Sequence, residues 1–107
     1  MKGNTPKAKA LTGERQGVGN FEVLLMSAAL KFYKSSPEEL AKKLNKCLED
    51  LENNPFWGPN IKLLKGEKRR YRYRVGDYRV IYGIDKEKNK VFVTLIASRS
   101  SVYRNIN

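Results

Sequence analysis

Hydrophobic and polar positions in the first half of the chain predict one strand and two helices. Residues 21–26, Phe-Glu-Val-Leu-Leu-Met, are a short β-prone run and the expected first strand. Residues 27–34 predict a brief helix that Ser27 would cap. A longer helix is predicted next, because apolar residues recur at helical spacing as one stripe. That stripe, which we expect to be core, consists of Leu40, Ala41, Leu44, Cys47, Leu48 and Leu51.

Local signals define the ends of the longer helix. Ser36 is a suitable N-cap, Pro37 suits the first helical position, and Glu39 completes a capping box. Asn53-Asn54-Pro55 predicts the end of the helix, because the residue before a proline is disfavoured in helical conformation. Residues 56–60 then form a turn-rich connector in which Trp57 is expected to pack against the helices rather than stack on a base.

The period of the pattern changes to two in the second half of the chain. Two β-prone runs, residues 71–75 and 78–82, flank Gly76-Asp77, and a two-residue turn with glycine first predicts a type II′ hairpin. Counting outward from the turn gives one face that can cover the helices and one polar face. The first face holds Tyr71, Tyr73, Val75, Tyr78, Val80 and Tyr82, and the second holds Arg72, Arg74, Arg79 and Ile81.

The polar face of the hairpin is the first chemical feature of the sequence. Arg74 and Arg79 are predicted to lie directly opposite each other, and like charges in that position are destabilising. Alternation alone explains polar residues there, but it does not explain one sign of charge at all three positions. Because the planar guanidinium group matches phosphate oxygens in a bidentate manner, a bound anion is the favoured interpretation.

One further strand is predicted at residues 91–97, where apolar residues of both parities favour an interior strand. Arg99 follows its end and could join the hairpin arginines. Residues 1–20 contain four glycines, Pro6 and no hydrophobic periodicity, which predicts a flexible basic arm before one domain at 21–107.

Charge is distributed unevenly, which favours a polyanionic partner. The chain has 107 residues and a net charge of +11. Residues 21–60 carry five lysines against six acidic residues, whereas residues 61–107 carry thirteen lysines and arginines against four acidic residues. Such asymmetry is typical of proteins that bind nucleic acid. The alternatives are an acidic protein partner or a membrane surface, although no basic amphipathic helix supports the latter.

Several classes of site and location are disfavoured by composition. One cysteine excludes an internal disulfide, and the absence of histidine argues against a zinc site, so we expect no metal and no cofactor. No apolar run is long enough for a transmembrane helix or a secretory signal. The expected location is the cytoplasm.

The order of predicted elements and three segments resemble the RelE/ParE superfamily of bacterial and archaeal toxins. The segments are Leu-Leu-Lys-Gly at 63–66, Tyr-Arg-Tyr-Arg-Val-Gly-Asp-Tyr-Arg-Val-Ile-Tyr at 71–82, and Arg99 followed by Val102-Tyr103. The resemblance covers roughly residues 21–104. It implies an α+β fold of the RelE-like type, with a four-stranded, mostly antiparallel twisted sheet and two N-terminal helices packed on one face.

The resemblance also implies a function and a set of site residues. The RelE branch cuts mRNA in the ribosomal A site and is silenced by a cognate antitoxin, whereas the ParE branch inhibits DNA gyrase without nuclease residues. The candidate catalytic residues are Arg72, Arg74, Arg79, Arg99 and Tyr103. Further basic residues expected to bind RNA are Lys65, Lys68, Arg69, Arg70 and Arg104.

These positions favour a ribosome-dependent mRNA endoribonuclease, in which the RNA 2′-OH attacks the scissile phosphate. Arg79 would stabilise the phosphate transition state, and Arg99 would neutralise or protonate the leaving 5′ oxygen. Tyr103 would act as a base or stack on a nucleobase. The alternatives are a ParE-like inhibitor of gyrase on the same fold and a basic nucleic-acid-binding module without catalysis.

Overall fold

The computed structural model describes residues 20–66 and 69–101. The predicted arm at residues 1–20 therefore lies outside the described residues, except for Asn20. Seven elements follow in chain order, and residues 99–101 are helical. The elements are β1 (Glu22–Leu25), α1 (Ser27–Lys34), α2 (Glu38–Asn53), β2 (Ile61–Leu64), β3 (Arg70–Val75), β4 (Tyr78–Asp85) and β5 (Lys90–Ser98).

The strands form one mixed sheet in the order β1-β5-β4-β3-β2. Strand β1 pairs with β5 in parallel, and the other three pairs are antiparallel. The predicted α+β class is confirmed, but the sheet has five strands rather than four. The additional strand is β2, whose four residues alternate poorly between buried and exposed positions, so its sequence lacks a strong period-two signal.

Both helices pack against one face of the sheet, as predicted. Leu44, Cys47, Leu48 and Leu51 of α2 are buried in one cluster with the hairpin tyrosines and β-branched residues of β4 and β5. Burial, and to a smaller extent the nearby Asp50 carboxylate, raises the pKa of the Cys47 thiol well above its ordinary value. Cys47 is thus a packing residue, as its place on the apolar stripe indicated. Neither described helix is long and apolar enough to cross a bilayer.

The predicted helix caps are wrong by one residue each. Pro37, not Ser36, is the N-cap of α2, and its carbonyl accepts the first helical hydrogen bond from the Ala41 N–H at 2.9 Å. The Ser36 hydroxyl instead donates backwards to the Phe32 carbonyl at 2.8 Å, so no capping box forms. In α1, Met26 is the N-cap and Ser27 is the first helical residue. A serine hydroxyl can bond either to the preceding turn or to the following one, and sequence alone does not decide between them.

Candidate nucleic-acid interface

The hairpin turn sets the geometry of the site. Gly76 has a φ of +56°, a conformation that glycine adopts without steric cost, whereas Asp77 is not among the positive-φ residues. A positive φ at the first turn position alone is the type II′ pattern. The predicted register is confirmed throughout, with the pairs Tyr71–Tyr82, Arg72–Ile81, Tyr73–Val80, Arg74–Arg79 and Val75–Tyr78.

The tyrosine side of the hairpin belongs to the core. The rings of Tyr71 and Tyr82 stack with centroids 5.4 Å apart, and the Tyr82 hydroxyl donates to the Pro55 carbonyl at 2.8 Å. The Tyr73 hydroxyl donates to the Asp50 carboxylate of α2. Burial raises the pKa of Tyr73, with a further contribution from this bond to Asp50, and burial likewise raises the pKa of Tyr82. Neither Tyr71 nor Tyr73 is exposed enough to stack on a base.

Five cations lie on the opposite side of β2, β3 and β4, and all but Arg70 form two facing pairs. Lys62 pairs with Arg72, and Arg74 pairs with Arg79, so two rows of like charge cross the sheet side by side. We call the surface formed by Lys62, Arg72, Arg74 and Arg79 the arginine face. The sequence analysis did not include Lys62, because its place on this face follows only from the pairing of β2 with β3. The alternation of apolar and polar residues in Ile61-Lys62-Leu63 was the one signal in the sequence for a strand at this place.

Arg79 is not displayed at the surface, although it lies on the predicted polar face of the hairpin. The residue is only 7% exposed. Its Nη1 donates to the carbonyls of Gly76 and Tyr78, each at 2.9 Å, so the side chain is folded against its own turn. Alternation in a strand predicts which face a side chain takes, but not whether its donors meet backbone carbonyls.

Exposure increases from Arg79 through Arg72 to Arg74. Arg72 is half-buried and Arg74 is exposed. The Nε atoms of both Arg79 and Arg72 are buried and have no hydrogen-bond partner among the described residues. Buried donors are rarely left unpaired in proteins, because the lost hydration is costly. These two Nε donors are enclosed by the protein, so the groups of the face that an anion reaches directly belong to Arg74 and to the accessible part of Arg72.

No carboxylate neutralises this face within the described ranges. The ion pairs found there are Lys42–Glu38 and Lys46–Asp50 on α2 and Lys90–Glu22 at the β1–β5 edge. Arginines that lack carboxylate partners and lie opposite further cations are arranged for a polyanion. Such a face can hold a phosphate and stabilise added negative charge, but arginine is a poor acid or base near neutral pH.

The remaining candidate residues fall into two groups. Arg99 follows β5 directly, is exposed, and its backbone N–H donates to the Asp77 carbonyl at 2.8 Å, so it lies beside the hairpin turn as expected. Lys65 and Arg69 are exposed and flank the connection between β2 and β3, and Arg70 begins β3 on the same face as Arg72. Lys68, Tyr103 and Arg104 lie outside the described residues.

Trp57 does not pack against the helices, so that prediction was wrong. The connector between α2 and β2 does not bury it, and the side chain is 74% exposed. Pro55 is buried and Phe56 packs against the core, so these two residues, rather than Trp57, hold the connector in contact with it. An aromatic residue in a short connector carries no period, so its burial could not be predicted from spacing.

Comparison with known proteins decides the family. The family model of the ParE toxin of the type II toxin–antitoxin system parDE matches residues 26–103. The chain belongs to the RelE/ParE superfamily of type II toxins. It is 32% identical over 87 residues to the putative toxin RelE1 of Methanocaldococcus jannaschii, covering 79% of this chain and 97% of that protein.

Solved structures agree with the RelE-like fold of this toxin. The chain superposes on the toxin of the archaeal RelE–RelB complex from Pyrococcus horikoshii with a TM-score of 0.65 and 24% identity, covering 75% of this chain and 96% of that one. For the intact RelBE toxin–antitoxin complex of E. coli the TM-score is 0.64 and the identity 26%, with the same coverage. The protein is a RelE-like toxin of a type II toxin–antitoxin system.

Proposed function

We propose that this RelE-like toxin is a ribosome-dependent endoribonuclease that cleaves mRNA in the ribosomal A site. The observation that carries the proposal is the arginine face, which combines facing cations, no carboxylate partner in the described ranges and two buried Nε donors that lack acceptors. A scissile phosphate would neutralise the facing cations in place of a carboxylate, and it would meet the Nε donors only if the two arginine side chains rearranged. It supplies acceptor oxygens and negative charge, and it offsets the repulsion between Arg74 and Arg79.

The proposed reaction needs no group outside the RNA and the protein. The 2′ oxygen attacks the adjacent phosphorus, the bond from phosphorus to the 5′ oxygen breaks, and a 2′,3′-cyclic phosphate and a 5′ hydroxyl result. One proton leaves the 2′ hydroxyl and one is gained by the 5′ oxygen. The protein must hold the strand in line and stabilise the charge that accumulates on the phosphorane.

Exposure of the arginines suggests how they share this task. Arg74 and Arg72 are the accessible residues and would contact the phosphate oxygens directly. Arg79, fixed by the Gly76 and Tyr78 carbonyls, would supply preorganised positive charge from beneath. Arg99, beside the turn, would neutralise the leaving 5′ oxygen. Tyr103 remains the candidate base or stacking residue.

Dependence on the ribosome follows from the weakness of these groups in proton transfer. Arginine holds its proton up to a pKa above about 12, so it contributes charge rather than general acid–base catalysis. Cleavage of free RNA would therefore be slow. An mRNA ordered in the A site would supply the in-line geometry that the protein alone does not impose.

A cognate antitoxin protein is proposed as the second partner. The similar solved toxins from P. horikoshii and E. coli are each described in complex with RelB. The +11 charge of this chain favours an acidic partner that covers the arginine face and keeps the toxin inactive. We place this activity in the cytoplasm, where translating ribosomes are found.

Inhibition of DNA gyrase is the second candidate, because the matching family model is that of the ParE toxin. The two functions differ in what accumulates when the toxin is produced without antitoxin. Mapping of mRNA 5′ ends should show new ends inside coding regions if the toxin is a nuclease. Intact mRNA together with cleaved DNA–gyrase complexes would establish the gyrase alternative instead. Growth without arrest would favour a nucleic-acid-binding module.

The same experiment should be run with variants of the face. Arg72→Ala/Arg74→Ala removes the two accessible guanidinium groups and should abolish the new 5′ ends. Lys88→Ala removes an exposed cation from the β4–β5 turn at the far end of the sheet and should leave them unchanged. Undiminished cleavage by the folded double variant would refute the assignment of the face.

A further inference from the structure

Trp57 is the most exposed large hydrophobic residue in the described ranges and has no assigned role. It is also the one tryptophan of the chain. It forms one wall of a cleft between the end of α2 and the start of β2, on the helix side of the sheet edge. A single exposed hydrophobic residue is ordinary at a protein surface, so the case for a contact site rests on the groups that surround the indole.

The cleft beside Trp57 carries amide groups with unused hydrogen-bonding atoms. Asn53 donates its Nδ2 to the Glu49 carbonyl, and Asn54 accepts the Phe56 N–H on Oδ1. Among the described residues, Oδ1 of Asn53 and Nδ2 of Asn54 have no hydrogen-bond partner. One acceptor and one donor therefore border an aromatic surface. The Asp50 carboxylate in the same cleft is already occupied by Tyr73 and by the Lys46 ammonium at 3.2 Å.

This cleft continues into a basic groove that reaches Arg74. Asn60 lines both, and its carbonyl accepts the Arg74 N–H at 2.9 Å. Lys43 of α2 lies along the groove opposite Arg74, and within the described ranges neither has an ion-pair partner. Glu39 is the acidic residue at the far end of the groove. Trp57 is thus connected to the arginine face by a path that carries unpaired positive charge.

We infer that Trp57 and the neighbouring asparagine amides form a nucleobase subsite for single-stranded RNA, whose backbone follows Lys43 and Arg74. The inference rests on the proposed function, because it extends the strand held at the arginine face around the β2 edge. An indole ring accepts any base by stacking, and the amides can meet a base edge. A peptide backbone would pair with the same amides, so the choice of RNA rests on the path of unpaired positive charge, which leads to the arginine face where we propose that the mRNA strand lies.

The single tryptophan makes a direct test possible, because the intrinsic fluorescence of the full-length toxin reports on this residue alone. A ten-nucleotide single-stranded RNA should quench the emission, since stacking brings a base against the indole. Two matched probes carry the phosphate charge without bases, namely an abasic oligonucleotide of the same length and inorganic polyphosphate. Both should bind without quenching.

Variants separate stacking from general attraction. Trp57→Ala should weaken binding of fluorescein-labelled RNA, followed by anisotropy, by roughly 5- to 150-fold, which is the range found for one base–aromatic stack. Trp57→Phe should restore much of the loss. Leu63, on β2, is the other large hydrophobic residue that is exposed. Leu63→Ala is therefore the matched control and should bind RNA like the unaltered toxin.

The outcomes distinguish this inference from the proposed nuclease. If mRNA is cleaved, but RNA does not quench the Trp57 emission and binds Trp57→Ala as tightly as the unaltered toxin, the subsite is refuted and the nuclease stands. If cleavage is absent but quenching and the loss are found, the subsite stands as a binding site. Quenching by the antitoxin protein but not by RNA would show a protein-docking surface and would overturn the inference.

Discussion

The facing pair Arg74–Arg79 makes a prediction that links stability to function. Replacing Arg74 by glutamate removes a like-charge pair and creates an opposite-charge pair at the same cross-strand position. Cross-strand pairs contribute about 0.2–1 kcal/mol each, so relief of repulsion and gain of attraction together should stabilise the free toxin by about 1 kcal/mol. For a domain of this size that corresponds to a rise in Tm of roughly 4–8 °C. The variant should be more stable than the natural protein and inactive.

Calorimetry or circular dichroism in low-salt buffer measures the shift. At 1 M NaCl the Debye length is about 3 Å, so the stabilisation should shrink markedly. Lys88→Glu makes the same change of net charge at an exposed site in the β4–β5 turn and corrects for the general effect of lowering a charge of +11. Only the excess of Arg74→Glu over Lys88→Glu is attributed to the pair.

An anion provides the second arm of this prediction. Inorganic polyphosphate at a hundredfold excess over its Kd should stabilise the unaltered toxin by about 2.7 kcal/mol through mass action, and Arg74→Glu far less. The reasoning is refuted if Arg74→Glu is less stable than Lys88→Glu at low salt, or if polyphosphate stabilises the two variants equally. Either result would mean that the face is not strained by its own charge and not organised for phosphate.

Four further results are expected from buried groups and from the turn. Gly76→Ala should lower the free energy of unfolding in urea by about 1–2 kcal/mol, because an L-residue is strained at φ +56°. The added Cβ itself meets no atom within 4 Å, so an unchanged midpoint would show that the turn relaxes. Tyr82→Phe leaves the Pro55 carbonyl without its donor and should cost about 1–3 kcal/mol, whereas Tyr78→Phe, whose hydroxyl makes no hydrogen bond in the described ranges, should cost little. Burial raises the folded-state pKa of Tyr82 above the ordinary value of about 10. The contribution of the neutral Tyr82 hydroxyl to stability is therefore present below about pH 10 and lost as the pH rises further. Urea midpoints should fall between pH 9 and pH 11, and less steeply in Tyr82→Phe. The Cys47 thiol should react with a disulfide reagent at pH 8 only after denaturant is added, and prompt reaction in buffer would contradict its burial.

The hairpin could be predicted from the sequence because its register depends on local chemistry. A glycine in the first place of a two-residue turn fixes which residues face each other, and the period of two then assigns the faces. Every pair from Tyr71–Tyr82 to Val75–Tyr78 followed from that count. The stripe of α2 was predictable for the same kind of reason, since seven-residue spacing identifies a buried helix face without knowledge of its partner.

Features that depend on tertiary contacts were not predictable in this way. Strand β2 is four residues long at the sheet edge, so it lacks the alternation that would reveal it, and Lys62 was missed with it. The burial of Arg79 depends on two carbonyls of the turn, and the exposure of Trp57 depends on how the connector leaves α2. The face was predicted correctly as a pattern, but the accessibility of its members required the structure.

Cleavage of a programmed ribosome tests the central claim most directly. Translating ribosomes should be stalled with one defined codon in the A site, mixed with purified toxin, and the mRNA fragments analysed for their ends. We predict a 2′,3′-cyclic phosphate and a 5′ hydroxyl, no cleavage when the scissile nucleotide carries a 2′-deoxy sugar, and no cleavage by Arg72→Ala/Arg74→Ala while Lys88→Ala cleaves normally. Cleavage that survives the 2′-deoxy substitution, or that survives removal of both arginines, would contradict the account.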